Sequence, residues 1–205
     1  MDLFAFDKNF YDKGLKLVAG IDEAGRGPLA GPVVASAVIL PKDCIIDGLN
    51  DSKKLSPKKR NLLFKIVKEK ALFYSISIVD NNTIDKINIL QSALLAMKNS
   101  ILQLPKIPDI CLIDGNCKVK GLDIAQETII GGDAKSAAIA AASILAKVTR
   151  DSLMDEYSKE YPLYGFEKHK GYGTKKHIEA IKQYGVCPIH RMSFAPICSK
   201  PTKIL

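Results

Sequence analysis

Hydrophobic residues along the chain fall into short continuous runs and into longer segments with helical spacing. Runs rich in Val, Ile and Ala that are bounded by glycine or proline predict buried strands, and alternation predicts another. The predicted strands are residues 15–21, 33–40, 73–79, 110–113 and 122–130. The predicted helices are residues 57–70, 84–104, 134–157 and 174–185. This order indicates an α/β fold with a mixed β-sheet flanked by helices and a helical C-terminal portion.

Boundary residues support several of these helices. Ser56 followed by Pro57 is a typical helix start, with serine as the N-cap and proline in the first turn. Thr174 and Gly185 bracket the last predicted helix. Residues 168–173 are predicted to form a basic loop with glycines. We expect a single domain over residues 1–205, in which about 180–205 form a final helix and tail.

Acidic residues stand where predicted strands give way to loops. Asp22 and Glu23 follow the first strand, Asp114 follows residues 110–113, and Asp133 ends a Gly-Gly-Asp segment. Each has a simpler structural explanation, because Asp-Gly is a common turn signal and Asp133 could cap the next helix. Carboxylates that converge repel one another, and hard divalent cations would neutralise them. Two such cations can promote in-line attack on phosphorus.

Asp22 and Glu23 are not expected to be equivalent. Neighbouring side chains on a regular strand point to opposite faces. Glu23 is therefore expected where the strand breaks, or to act through its carbonyl or a water molecule, and Gly25 and Gly27 favour such a break. We predict that Asp22 is the central metal ligand and that Glu23 is the less direct one.

Composition narrows the choice of partner and compartment. The chain has 30 Lys and Arg against 22 Asp and Glu, a net charge of +8, which favours a polyanion such as nucleic acid. The five cysteines are an odd number without C-x-x-C spacing, which disfavours a disulfide scaffold or structural zinc and fits free thiols in a reducing cytoplasm. The N-terminus resembles no signal peptide, and residues 137–146 are too short to span a bilayer. A membrane role is therefore not expected.

The three histidines are His169, His177 and His190, and their spacing matches no zinc motif. A ribonuclease without metal would need an acid–base pair among them. His177 lies early in a basic predicted helix, and we expect it on the surface.

Six ordered motifs resemble the pattern of the bacterial ribonuclease HII family over about residues 15–197. They are G-I-D-E-A-G-R-G-P-L-A-G-P, D-S-K-K-L-S, L-I-D-G, G-D-A-K-S-A-A-I-A-A-A-S-I-L-A-K-V-T-R-D, H-K-G-Y-G-T and H-R-M-S-F-A-P. The resemblance implies a ribonuclease H-like fold and cleavage of the RNA strand of RNA/DNA hybrids. It also implies nicking of duplex DNA 5′ of an embedded ribonucleotide, leaving 3′-hydroxyl and 5′-phosphate ends.

The same resemblance implies magnesium or manganese as cofactor, with two ions when substrate is bound. It assigns the catalytic and metal-binding roles to Asp22, Glu23, Asp114 and Asp133. The related ribonuclease HIII family resembles the chain in these acids, but it usually has an extra N-terminal domain and lacks the arginine found here at position 26. One departure from the ribonuclease HII pattern is Gly131, where many members have lysine.

Further motif residues are predicted to bind the substrate. Gly25, Arg26 and Gly27 fit a backbone clamp on the ribose, because glycine permits close approach. Tyr172 lies between two glycines and fits a stacking residue, which the resemblance assigns to the RNA–DNA junction. The predicted phosphate contacts are Ser52, Lys53, Lys54, Ser143, Lys147, Lys168, Lys170, Lys175 and Lys176. Simpler roles are a turn, a packing anchor and solvated side chains.

Two other functions stay open on the sequence alone. One is a general DNA nuclease or transposase-like enzyme of the same fold, and the glycine-rich segments around Arg26 and Tyr172 argue against it. The other is a non-catalytic hybrid-binding protein, which the four acids argue against. We expect a monomer, and residues 199–205 show no aromatic motif for binding a sliding clamp.

Overall fold

A computed structural model of the chain describes residues 3–198. Its helices are α1 (Leu3–Asp12), α2 (Pro57–Lys70), α3 (Asn81–Leu102), α4 (Ala137–Glu160), α5 (Phe166–His169) and α6 (Lys175–Tyr184). Its strands are β1 (Val18–Ala24), β2 (Val33–Ile39), β3 (Phe73–Val79), β4 (Ile110–Asp114) and β5 (Ala125–Ile129). Short 3₁₀ turns lie at Ser52–Lys54 and Gly132–Ala134. No helix among the described residues is long and apolar enough to cross a membrane.

The strands form one mixed sheet in the order β3-β2-β1-β4-β5. β2 is antiparallel to both β1 and β3, whereas β4 is parallel to both β1 and β5. This arrangement confirms the predicted α/β fold class. Because β1 and β4 are parallel and Ile21 pairs with Ile113, the next residues, Asp22 and Asp114, lie side by side where β4 ends.

Helices cover both faces of the sheet. On one face, Ile21 and Ile113 belong to a core cluster with Met97 of α3. On the other face, the alanine-rich start of α4 lies so close to β1 that a Cβ on Gly20 would be 2.1 Å from the carbonyl carbon of Ala138. Small residues on both elements therefore bring α4 directly against the strand that carries Asp22.

Most predicted elements are present, with shifted ends. The Ser56 hydroxyl caps α2 by accepting the Lys59 N–H, as predicted. β1 continues past the predicted end at Ile21, through Asp22 and Glu23, to Ala24. It ends at Gly25, which has φ +100°, so the break lies two residues after Glu23 and not at Glu23 itself. α4 begins only after Ser136, whose side chain caps it, so Asp133 is not its cap.

Three further differences concern the ends of the chain and the loops. α3 starts earlier than predicted because Asp80 caps it, and the predicted loop at residues 168–173 overlaps the short helix α5. α1 has no counterpart among the predicted elements. The predicted tail reaches residues 199–205, which lie outside the described residues.

Candidate active site

The four predicted acids lie along one edge of the sheet. Asp22 and Glu23 are near the end of β1, Asp114 ends β4, and Asp133 lies in the 3₁₀ turn that follows β5. Asp22 and Asp133 are only 4% and 5% exposed. The Gly132 N–H donates to Asp114 Oδ1 at 2.7 Å, which ties the turn carrying Asp133 to the end of β4. We name this group of four acids the carboxylate edge.

Strand alternation separates Asp22 from Glu23. Asp22 interacts with Ser143 of α4, whereas Glu23 lines a small cavity beside Leu94 and Met97 of α3. Glu23 Oε1 is 3.2 Å from Arg26 Nη1, and the Glu23 N–H donates to Asp22 Oδ1 at 2.7 Å. The two carboxylates thus lie at one edge but face different helices.

The carboxylate edge carries negative charge that the protein neutralises only in part, through Arg26 and Lys53. Burial, and then the charges of Glu23 and Asp114, raise the pKa of Asp22 well above its usual value. Burial also raises the pKa of Glu23, although Arg26 opposes this shift. Burial, then Asp51 and Asp114, raise the pKa of Asp133, and Lys53 partly offsets this. A bound cation would stabilise all of these carboxylates in their charged form.

The donor set fits a hard divalent cation. Carboxylate oxygens are the ligands that magnesium and manganese prefer. No group of three or more His, Cys, Asp or Glu side chains within residues 3–198 is close enough together to enclose a metal ion. The edge therefore suits a cation held by one or two carboxylates that takes its remaining oxygens from water and substrate, which is the usual mode for magnesium.

An open cleft of about 480 Å³ adjoins the carboxylate edge at Glu23. Its lining includes eight of the residues predicted to bind substrate, namely Gly25, Arg26, Gly27, Ser52, Lys53, Ser143, Lys147 and Tyr172. The other predicted phosphate contacts do not line it, namely Lys54, Lys168, Lys170, Lys175 and Lys176. The structure thus brings together four separate segments of the chain in one surface next to the acids. Their roles in binding stay predictions.

Several of these side chains are held in place by one another. The hydroxyls of Ser52 and Ser143 are hydrogen-bonded at 2.7 Å, which joins the first 3₁₀ turn to α4. Lys147 Nζ is 2.8 Å from Asp151 Oδ1 and 6.0 Å from the centre of the Tyr172 ring. Lys53 Nζ is 3.6 Å from Asp133 Oδ2, although its side chain is largely exposed. The Lys53 ammonium thus lies between the acids and the cleft.

Tyr172 adjoins the glycine-rich segment in the cleft. The residue is 44% exposed, and its Cε1 is 3.6 Å from the position that a Cβ on Gly27 would take. A flat ring and a bare backbone therefore lie side by side in the wall of the cleft and together form a surface that suits contact with a sugar or base.

The backbone of Tyr172 is fixed by buried histidines. His177 is fully buried, so the prediction of a surface histidine is wrong. It packs between the rings of His169 and Phe166, because this face of α6 turns inward. Burial lowers the pKa of both His177 and His190 to about 4, so both imidazoles are neutral near pH 7.

The hydrogen bonds assign the tautomers of these two histidines. The Tyr172 carbonyl only accepts, so His177 Nδ1, 2.9 Å away, must donate to it. His177 Nε2 then accepts from His190 Nε2 at 3.1 Å, and His190 Nδ1 accepts the Cys187 N–H at 2.9 Å. The chain of donors ends on the loop that carries Tyr172, and it requires neutral histidines.

Sequence reasoning overlooked two arginines that lie behind the cleft. Arg150 and Arg191 are both fully buried, and their donors bind backbone carbonyls. Both belong to motifs already noted, one ending A-K-V-T-R-D and the other beginning H-R-M-S-F. The available signal for Arg150 was helical spacing, because the apolar residues Ala146 and Met154 lie four positions to either side of it on the same face of α4.

A mixed sheet with acids at the ends of β1 and β4 and a basic cleft beside them defines a nuclease of the ribonuclease H type. Comparison with known proteins narrows this class. The family model described as ribonuclease HII matches residues 19–197. The chain belongs to the ribonuclease HII family, which confirms the resemblance of the six motifs. It is therefore a ribonuclease H, a metal-dependent endonuclease that acts on RNA/DNA.

Similar proteins cover almost the whole chain. The ribonuclease HII of Endomicrobium trichonymphae is 66% identical over 196 residues, which are 96% of this chain and 93% of that protein. The ribonuclease H2 structure from Pyrococcus horikoshii has a TM-score of 0.75 at 28% identity, covering 89% of this chain and 96% of that one. A Bst ribonuclease HIII solved in complex with Mn²⁺ has a TM-score of 0.73 at 19% identity, covering 89% and 68%, and shares the fold.

Proposed function

We propose that this enzyme nicks duplex DNA on the 5′ side of a single embedded ribonucleotide and cleaves the RNA strand of RNA/DNA hybrids. The observation that supports this specificity is the position of the cleft. The bare backbone of Gly25, Arg26 and Gly27 and the ring of Tyr172 line it directly beside the carboxylate edge. A backbone without side chains lets its polar groups approach the 2′-hydroxyl closely, and a nuclease that does not distinguish ribose does not require this feature.

We further propose that Asp22, Asp114 and Asp133 hold two divalent cations, magnesium or manganese, when substrate is bound. Glu23 supports them from the opposite face of β1, directly or through water. The bound cations supply Lewis-acid activation and neutralise charge at phosphorus. The raised pKa values of the buried acids support this role, because a buried carboxylate without a cation is costly to ionise.

The remaining residues of the cleft position the nucleic acid. Lys53 and Lys147 contact phosphates, and Ser52 and Ser143 shape the wall between them. Tyr172 stacks on the sugar or base at the junction where RNA gives way to DNA. Cleavage at the phosphodiester bond 5′ of the ribose leaves 3′-hydroxyl and 5′-phosphate ends.

We propose that the enzyme acts as a monomer and as one domain. Every residue of the cleft and of the carboxylate edge comes from the same chain and surrounds the same sheet. Sedimentation equilibrium at assay concentrations tests the monomer, and a dimer required for cleavage would contradict it.

The test uses two duplexes of the same sequence, one all-DNA and one with a single ribonucleotide. We expect a nick 5′ of the ribonucleotide with magnesium or manganese, and no product from all-DNA duplex. Product ends are identified by whether a polymerase extends them and a phosphatase removes their phosphate. Absence of the nick in both metals overturns the proposal.

Two outcomes of the same assay would favour the other functions considered. Efficient cleavage of the all-DNA duplex would indicate a general DNA nuclease. Binding of a hybrid that is unaffected by metal, with no cleavage of either duplex or hybrid, would indicate a non-catalytic binding protein. A third substrate, a long RNA/DNA hybrid, separates the two activities proposed for this enzyme.

A further inference from the structure

Arg150 and Arg191 are buried cations whose cost the structure must offset. Both side chains have no exposed surface, and neither forms an ion pair with a carboxylate of the described chain. Burial, and then the charge of Arg150, lower the pKa of the Arg191 guanidinium to about 9, and Asp85, which bonds to Met192 and Ser193, opposes this shift only in part. A buried guanidinium is tolerated only when its donors are hydrogen-bonded. The acceptors of these donors therefore indicate what the two residues do.

The guanidinium of Arg191 binds the carbonyls of the glycine-rich segment. Its Nη2 donates to the Gly25 carbonyl at 2.6 Å and to that of Pro32 at 3.2 Å. Its Nη1 donates to the Arg26 carbonyl at 3.0 Å, and its Nε to that of Gly31 at 3.0 Å. One planar group thus gathers both ends of the turn between β1 and β2.

Arg150 supports the same turn from α4. Its donors reach the carbonyls of Ala30, Pro32 and Lys170 at 3.0 to 3.1 Å. A Cβ on Gly25 would lie 2.1 Å from its Nε, so the backbone of Gly25 rests directly on this guanidinium. Arg150 donates a hydrogen bond neither to the carbonyl of Gly25 nor to that of Arg26. Both of these carbonyls accept from Arg191.

The geometry of the trans peptide determines which way the N–H groups of this segment point. In a trans peptide the C=O and the following N–H point in opposite directions, and the peptides of this segment are trans. The carbonyls of Gly25 and Arg26 point inward to Arg191, so the N–H groups of Arg26 and Gly27 point away from it. Neither N–H donates a hydrogen bond to any part of the described chain. Both residues line the cleft.

We propose that Arg191 is a positioning residue for recognition of the ribose. It holds two peptide units so that the N–H groups of Arg26 and Gly27 face the substrate, where the 2′-hydroxyl oxygen and the neighbouring phosphate accept hydrogen bonds. The inference rests on the proposed function, because it concerns the same ribonucleotide. It adds the buried group that fixes the direction of the donors.

The backbone around Arg191 is itself anchored. Its N–H donates to the Leu29 carbonyl at 2.9 Å, and the N–H groups of Met192 and Ser193 donate to Asp85 of α3 at 2.8 and 2.9 Å. The guanidinium therefore projects from a fixed base. Lysine cannot replace it, because an ammonium lacks the planar fork that reaches four carbonyls at once.

The experiment compares the wild type with Arg191→Lys, which keeps the charge. Binding is measured by fluorescence anisotropy in EDTA, so no cleavage occurs. The two labelled duplexes have one sequence, one with a single ribonucleotide and one all-DNA. We expect the wild type to prefer the ribonucleotide duplex, and Arg191→Lys to lose this preference by about tenfold, since the hydrogen bond to the 2′-hydroxyl loses its direction. Affinity for all-DNA duplex falls less, because that duplex loses only one of its several phosphate contacts.

A stability-matched control separates positioning from general destabilisation. Ile101 is buried near the end of α3, at the opposite edge of the sheet from the cleft. Ile101→Ala is expected to lower the unfolding free energy but to keep the wild-type preference between the two duplexes. Preference retained in Arg191→Lys, or lost equally in Ile101→Ala, overturns the inference. A wild type without any preference overturns the proposed function itself.

A second measurement needs no variant and covers the case in which Arg191→Lys does not fold. In ¹⁵N-labelled wild type, the amide signals of Arg26 and Gly27 are expected to shift more with the ribonucleotide duplex than with the all-DNA duplex. Equal shifts at both amides, in a protein that does prefer the ribonucleotide, would show that these donors do not read the ribose and would overturn the inference.

Discussion

The carboxylate edge and the two arginines behind the cleft, Arg150 and Arg191, accommodate buried polar groups in opposite ways. At the edge, Asp22 and Asp133 are buried among other acids, and burial raises the pKa of each. Behind the cleft, Arg150 and Arg191 are equally buried, but carbonyls accept from their donors. None of the buried side-chain atoms without a partner in residues 3–198 belongs to either arginine. The carboxylates remain incompletely neutralised where a cation and substrate bind. The guanidinium groups are fully hydrogen-bonded where the backbone of the cleft must be held in place.

The largest effect is expected when one acid of the carboxylate edge is replaced by a neutral side chain. Asp22→Asn removes a buried charge that Glu23 and Asp114 repel. We expect cleavage to fall by about a thousandfold, because a central metal ligand is lost. We also expect the unfolding free energy in EDTA to rise, because the charge repulsion is removed. Single-turnover cleavage assays and urea unfolding measure the two effects.

The two readouts of Asp22→Asn must move in opposite directions for the comparison to hold. Full activity would contradict the assignment of Asp22 as a metal ligand. A large loss of stability in EDTA would show that the Asp22 carboxylate stabilises the fold even without metal. The proposed contrast between the carboxylate edge and the two buried arginines would then be wrong.

Two glycines of the cleft offer a matched pair of substitutions. Gly25 has φ +100° and its Cβ would meet Arg150 Nε at 2.1 Å, whereas a Cβ on Gly27 meets only Tyr172 at 3.6 Å. Gly25→Ala is expected to cost about 3 kcal/mol of stability. Gly27→Ala should change stability by less than about 0.5 kcal/mol, yet it should slow cleavage at a ribonucleotide about tenfold by narrowing the cleft.

Urea unfolding and cleavage of the single-ribonucleotide duplex check this pair. If Gly27→Ala is as unstable as Gly25→Ala, the cleft side of the segment is more tightly packed than the structure shows. If Gly27→Ala cleaves at the wild-type rate, the surface formed by Gly27 and Tyr172 does not contact the sugar.

The hydrogen-bonded histidines behind Tyr172, His177 and His190, predict that the unfolding free energy depends on pH. Burial lowers the pKa of His177 and His190 to about 4, so the unfolded chain, with histidine pKa near 6.5, binds protons first as the pH falls. The unfolding free energy should therefore fall between about pH 6.5 and 4, by at most about 3 kcal/mol for each histidine. Carboxylates with raised pKa, such as Asp7 at about 6, act in the opposite direction.

The difference between wild type and His190→Gln isolates the histidine contribution, because the carboxylates are common to both proteins. We expect the wild type to lose more stability than the variant as the pH falls from 7 to 4.5, measured by urea unfolding. Parallel pH profiles would contradict neutral, buried histidines.

The smallest predicted effect concerns Lys53, which lies between the two regions. Its exposed ammonium is 3.6 Å from Asp133 and also lines the cleft. Lys53→Ala should weaken duplex binding and lower the slope of log affinity against log salt by about 1, while stability changes by less than about 0.5 kcal/mol. Lys42→Ala is the control, because Lys42 pairs with Asp12 beyond the far end of β2. Equal slopes of log affinity against log salt for the two variants would show that Lys53 does not contact phosphate.

Much of the fold follows from local sequence signals. Ser56 with Pro57 predicts the start of α2, and Thr174 with Gly185 predicts the bounds of α6. The acids were located by their position after apolar runs, since a strand end is where a rigid backbone meets solvent. The cleft residues came from the family motifs, and local patterns alone would not have joined Ser52 to Ser143, 91 positions apart.

What the sequence could not predict depends on long-range contacts. His177 was expected on the surface because its helix is basic, yet His190 and Tyr172 supply its partners from outside that helix. β1 was expected to break at Glu23, but pairing with β2 on one side continues it to Ala24. α1 was missed, and its Asp7 accepts the Ala138 N–H across 131 positions. Such acceptors leave no periodic pattern in the sequence.

The bond from Gly132 to Asp114 has a consequence for protein engineering. It fixes Asp133 relative to Asp114 through the parallel pairing of β4 and β5, and not through the ten residues that connect these strands. Gln126 also holds Val119, so the connection is secured midway. The exposed stretch after it, at Lys120 and Gly121, is therefore a suitable site for inserting a tag or a reporter domain while the spacing of the acids is preserved.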